Sequence, residues 1–160
     1  IKIRQYSISE VKMAERNDNI RLLEEMYKNA KMGCENINGV LPKVSDRFMI
    51  GELTDQFEHY GNYVGRVSEL MHQRSAQPKE PGVMAKLGAK TGIVVNTMID
   101  STSSHVADMV AKGTRMGVET LEQTLAQCQN GCDAPVTGLC REMIDWEKTA
   151  ADKMRSYIKD

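Results

Sequence analysis

From Ile93 to Leu125 the chain runs 33 residues without a proline. Val95, Ile99, Thr102, Val106, Met109, Val110, Gly113, Gly117, Leu121 and Thr124 recur along it in steps of three and four. That is the repeat of one helix face. Asp100, Ser104, Asp108, Arg115 and Glu122 fall on the other side. A helix of this kind is stable only when its apolar stripe is buried against other helices. The chain is therefore expected to be an all-α bundle. Extended back to Val83, the helix would reach about 44 residues, roughly 65 Å at 1.5 Å per residue. The run Asp100-Ser-Thr-Ser-Ser-His105 fits such a helix poorly, because Ser and Thr hydroxyls compete for backbone groups. The run reads either as small residues allowing close helix contact or as a polar surface around His105.

Three further helices follow from the same periodicity. Asn17 or Asp18 is expected to cap a first helix over 18–41, with Leu23, Met26, Tyr27, Ala30, Cys34, Ile37 and Leu41 inward and Pro42 ending it. Ser45 is expected to cap a second over 46–73, with Met49, Leu53, Phe57, Tyr60, Val64, Val67 and Met71 inward. Residues 74–82, with two prolines, form a polar linker. After a loop at 128–134, Asp133 or Thr137 caps a fourth helix to about 158, with the stripe Val136, Leu139, Cys140, Met143, Glu147, Ala150, Met154 and Tyr157. The domain division is an N-terminal arm, 1–17, and a bundle, 18–160. Ser7 and Glu10 make a capping box, giving the arm a short helix over 8–16.

The chain echoes itself. Met32 and Met116, Gly33 and Gly117, Glu35 and Glu119, and Leu41 and Leu125 are each separated by 84 positions. Further on, Gly51 and Gly138, Asp55 and Glu142, and Glu58 and Asp145 are each separated by 87. Two helical hairpins related by a pseudo-twofold axis would produce this pattern.

The 160 residues make one domain. A net charge of −1 gives no strong pull toward nucleic acid or an anionic membrane. No apolar run approaches a membrane span and no secretory signal is visible, so a cytoplasmic protein is expected. Met is abundant at 11 residues, and core filling is its expected role. Cys34 and Cys140 lie in helical patterns and are expected to be buried and reduced. Cys128 and Cys132 read as loop thiols, with a redox or metal role as the other reading. No nucleophile elbow, P-loop or dinucleotide fingerprint occurs.

The two-hairpin layout, the Met-Gly-x-Glu echo and the segment from Asn96 to Met109 resemble a group of uncharacterised bacterial ferritin-like proteins. The resemblance covers residues 19–158. It implies a ferritin-like four-helix bundle with a long crossover, here residues 74–92, between helices 2 and 3. It does not bring the family's iron chemistry with it. A paired-iron site needs a Glu on each of two helices and Glu-x-x-His on the other two, and the sequence contains Glu-x-x-His once, as Glu69-Leu-Met-His72 at the end of the second helix, and not a second time. Asp55, Glu58, Glu142 and Asp145 fall mostly outward on the helical wheel, and Glu35 and Glu119 fall off their stripes.

What remains near inner faces is a polar set: Gln56, Tyr60 and Tyr63, Thr102 and His105, and Glu147. Glu147 on a core stripe is the anomaly, since an unpaired buried carboxylate costs several kcal/mol. It belongs to a structural polar network, to a wet groove at one end of the bundle, or to a pocket in which Glu147 and His105 hold a metal. The function expected is a non-enzymatic bundle without a cofactor, acting through self-association or partner binding, with a homo-oligomer expected through helix 3 and the N-terminal arm. The alternative is a degenerate ferritin-like metalloprotein that binds iron or manganese for redox or storage work.

Overall fold

The computed structural model describes residues 6–79 and 102–159. These contain four α-helices and no strand: α1 (Ile8–Val40), α2 (Arg47–His72), α3 (Ser103–Cys128) and α4 (Ala134–Arg155). Residues 80–101, with most of the expected crossover and the first half of the expected third helix, lie outside the described residues.

The helix ends follow local chemistry. Ser7 and Glu10 form the capping box expected of them: Ser7 Oγ accepts from the Glu10 amide and Glu10 returns the bond to the Ser7 amide. The helix it starts does not stop at residue 16. It continues through Asn17 and Asp18 as one rod of 33 residues, so the expected boundary between arm and bundle is no break in the backbone. Across that junction the Asn19 side chain donates to the Glu15 carbonyl one turn back. A 3-10 turn at Leu41–Lys43, with Pro42 in it, ends the rod.

Asp46, rather than Ser45, caps α2, accepting from the Met49 amide at 3.0 Å. Asp46→Ala should cost about 1 kcal/mol in urea unfolding, while Ser45→Ala should leave the midpoint unchanged. The long third helix also needs correction. Thr102 is extended (φ −59°, ψ 148°) and its hydroxyl accepts from the His105 amide. It is an N-cap, so the Ser/Thr run starts α3 instead of lying inside a helix from Ile93.

Pairs along the rods give their directions. Arg16 donates to the Arg74 carbonyl where α1 enters and α2 leaves the bundle. Arg74 also binds Asp133 at 2.8 Å, and Asn19 accepts from the Asp133 amide at 3.0 Å. Further along, Arg66 pairs with Glu142, Tyr60 with Glu147, and Gln56 with Ala150. Numbers fall on α2 as they rise on α4, so these two run antiparallel. α1 is antiparallel to α2 and to α3. The Lys159 amide bonds to Ser104 Oγ at the opposite end. The chain therefore leaves α2 at one end of the bundle and enters α3 at the other.

The core holds Leu22, Leu23 and Met26 of α1, Met49, Leu53 and Met71 of α2, Val106 and Leu121 of α3, and Val136, Met143 and Met154 of α4. The stripe of α4 is as expected. On α2, Phe57 is exposed while Gln56 and Tyr63 are buried, so the inner face is rotated toward the polar residues. On α3 the buried line is Ala107, Ala111, Thr114, Val118 and Leu121, a shift from the expected Met109, Gly113 and Gly117. The backbones of α2 and α4 approach each other less closely than those of the other neighbouring helices. Tyr60, Tyr63, Trp146 and Glu147 span the gap.

Candidate functional site

Glu147 is fully buried midway along α4. Tyr60 of α2 donates its hydroxyl to Oε1 at 2.8 Å, and Asn29 of α1 donates its amide to Oε2 at 2.9 Å. Among the described residues no Lys, Arg or His forms an ion pair with it. Burial pushes its carboxyl up to about 7, against the pull of the two donors. Burial, and then the charge of Glu147, push the Tyr60 phenol well above its ordinary value, with the Thr114 hydroxyl opposing. This is a buried carboxylate satisfied by neutral donors, close to balance between its two protonation states at neutral pH.

The two donors fit because two glycines make room for them. A Cβ on Gly33 would lie 2.5 Å from the Tyr60 ring, and one on Gly117 would lie 2.6 Å from Asn29 Oδ1. These are the paired glycines of the 84-residue echo. Tyr60 and Glu147 are themselves 87 apart, the offset of the downstream echo. The internal repeat thus meets at this cluster, with a phenol in one half opposite a carboxylate in the other.

An aromatic group leads from the cluster outward. Trp146 packs edge-on against Tyr60 (4.8 Å, 90°) and stacks on exposed His59 (4.4 Å, 7°). Tyr63 tilts against Trp146 at 5.6 Å. Its hydroxyl lies 3.5 Å from Glu142, too long for a strong bond. Glu142 is held by Arg66 in a two-point pair, which keeps its carboxyl below the usual range. Gln56 donates to Glu52 and to the Ala150 carbonyl, while its buried Oε1 has no partner among the described residues.

Gln56, Tyr60, Tyr63 and Glu147 of the expected polar set therefore share the α2–α4 interface. Thr102 and His105 do not join them. Thr102 is the α3 cap, and His105 stands in the first turn of that helix. Thr114, at the level of Tyr60, is nine residues on, about 13 Å of helix. Glu147 and His105 are thus not brought together as a metal pair. The sequence reading missed Asn29, Thr114, Trp146 and His59. For Asn29 the only signal was the small residue at Gly117 opposite it.

The residues do not fit paired iron. Asp55, Glu58, Glu142 and Asp145 are all exposed, as are Glu35 and Glu119. Among the described residues no three of His, Cys, Asp and Glu come together as a metal site. At the four cysteines burial favours the thiol over the thiolate, which is the reactive form. Burial pushes Cys132 up to about 11 and Cys140 up to about 12, and it raises Cys34 and Cys128. Cys128 ends α3 and is buried, so it is no loop thiol, and Cys34 is only half-buried. The groove between α2 and α4, lined by Arg66, Leu70, Pro135 and Leu139 among others, is mostly apolar and contains no member of the Glu147 cluster.

No protein-family model matches this chain, and no curated protein and no solved structure matches it either. No helix among the described residues is long and apolar enough to cross a membrane.

Proposed function

We propose that the chain is a ferritin-like helical bundle without a paired-iron centre, and that it acts by association, in the first instance with a second copy of itself. The observation that carries this reading is the first part of α1. Residues 8–17 are helical and exposed, outside the bundle, with Ile8 78% and Met13 65% accessible. A solvated helical extension with bare apolar side chains gains stability only when another surface covers it. On α3, Met116 is 68% accessible, which supports a second contact on the helix expected to mediate assembly. The ferritin-like layout draws support from the antiparallel pairs and from the opposite ends at which α2 stops and α3 starts. The fully buried Glu147, held by two neutral donors from α1 and α2, suits a polar network that fixes the register of the helices. The iron- or manganese-binding alternative has that one carboxylate in its favour, but among the described residues no group of three His, Cys, Asp or Glu gathers around it.

Light scattering across a concentration series tests the proposal. The wild-type mass should rise to a discrete oligomer. Ile8→Glu with Met13→Glu should shift the midpoint at least about tenfold in concentration, a loss of about 1.4 kcal/mol. Met116→Glu should act in the same direction. A strict monomer at every concentration, with no partner recovered, would sink the reading.

A further inference from the structure

The Tyr60–Glu147 hydrogen bond lies against the chain's single tryptophan, and that tryptophan stacks on an exposed histidine. We propose that Tyr60 is a buried one-electron redox site, reached by oxidants at the surface through Trp146, with Glu147 as its proton acceptor.

The electron path is short. The Trp146 ring is half-buried, covered on its outer side by His59, and in edge contact with Tyr60 at 4.8 Å. Ring-to-ring contact of this kind allows rapid electron transfer, because tunnelling falls off steeply with separation. A diffusing one-electron oxidant takes an electron from the indole and leaves the Trp146 radical cation. An electron from Tyr60 then restores the indole. As it leaves, the phenolic O–H bond breaks and the proton moves 2.8 Å along an existing hydrogen bond to Glu147 Oε1. The products are the reduced oxidant, a neutral phenoxyl radical at Tyr60 and a protonated Glu147. Charge and atoms balance with no further reactant.

Proton transfer decides which tyrosine is used. Phenol oxidation is favourable only when the proton leaves with the electron, so the base beside the hydroxyl matters as much as the ring contact. Tyr63 also touches Trp146, but its nearest base is Glu142 at 3.5 Å, already neutralised by Arg66. Glu147 has no cation paired with it among the described residues and can take a proton near neutral pH. The groups around this pair are few. From α1 come Asn29 and the thiol of Cys34, from α2 the phenol of Tyr63, from α3 the neutral Thr114, and from α4 the thiol of Cys140. Among the described residues none of the other three tyrosines makes a ring contact with Trp146. Burial then keeps the radical from colliding with a second chain.

Pulse radiolysis of the whole protein with azide radical as the oxidant provides the test. In the wild type the tryptophan radical-cation absorption should decay as the phenoxyl absorption grows, with one rate constant independent of protein concentration. Tyr63→Phe should leave that growth unchanged and Tyr60→Phe should abolish it. Glu147→Gln should slow it about 100-fold or more, the usual worth of a positioned base. In the unaltered protein the rate should fall as the pH drops through about 7, where Glu147 becomes protonated. That profile needs no variant to fold. A tryptophan radical that persists in the wild type, a phenoxyl signal surviving in Tyr60→Phe or lost in Tyr63→Phe, or a rate flat with pH would each overturn the proposal.

Discussion

Gly33→Ala should destabilise the protein by about 2 kcal/mol, although alanine is the better helix former by about 1 kcal/mol. The added methyl would sit 2.5 to 2.6 Å from three atoms of the Tyr60 ring, and real side chains do not approach so closely. The ring cannot retreat cheaply. Trp146 packs against it, and its hydroxyl is committed to Glu147. Either α1 moves outward or the bond to the buried carboxylate is lost. Gly51 and Gly61 supply the controls, since a methyl there meets nothing within 4 Å. Their alanine variants should gain about 0.5–1 kcal/mol from reduced chain entropy in the unfolded state. Urea unfolding of the three variants separates the steric account from helix propensity. Equal stabilisation in all three would show that Gly33 is no notch for Tyr60. In a Tyr60→Leu background Gly33→Ala should become neutral or favourable, because the side chain it strikes is gone.

The same glycine marks how far the sequence could be read. The helices were legible because periodic apolar positions leave the chain no other way to bury them, and the outward acids followed from that periodicity. Glu147 was legible because a carboxylate on an otherwise apolar stripe breaks the pattern. Its partners were harder to find. Asn29 sits beside the stripe of α1, and its role depends on a gap across the bundle at Gly117. No spacing along α1 reveals that. Nor did periodicity settle which residues of α2 face inward, because Phe57 and Gln56 are neighbours and hydrophobicity favours the wrong one. Gln56 and Tyr63 are the buried residues, both in the α2–α4 interface that only the assembled bundle defines. The start of α3 failed for a local reason. A Ser/Thr run fits a helix interior and a helix cap alike, and the hydroxyl of Thr102 decides for the cap. The echo was visible as matched glycines, but its meaning lay in the Tyr60–Glu147 contact that it frames.

Raising the pH from about 5 to about 8 should remove about 2.5 kcal/mol of stability from the wild type relative to Glu147→Gln. The sign follows from the carboxyl itself. Its value is about 7 in the folded protein and 4.5 in the reference state, so it is raised by burial. Between those values the folded chain keeps a proton that the unfolded chain has released, and stability falls as the pH rises. The contribution is fully present below about 4.5 and is gone above about 7. Glu142 works the other way. Its carboxyl is lowered by Arg66, so its contribution is lost on acidification, and its exposed pair is worth little. The comparison with Glu147→Gln cancels that term and every other titrating group the two proteins share. Urea unfolding at several pH values should give a wild-type curve that slopes down through neutrality and a glutamine curve offset from it by a growing margin. At about pH 8 the glutamine variant should be the more stable, since it buries no charge, although its amide must find an acceptor among Tyr60 and Asn29. Curves that stay parallel would mean that Glu147 ionises as freely in the core as in water. That would require a cation or solvent beside it, and the two neutral donors at 2.8 and 2.9 Å provide neither.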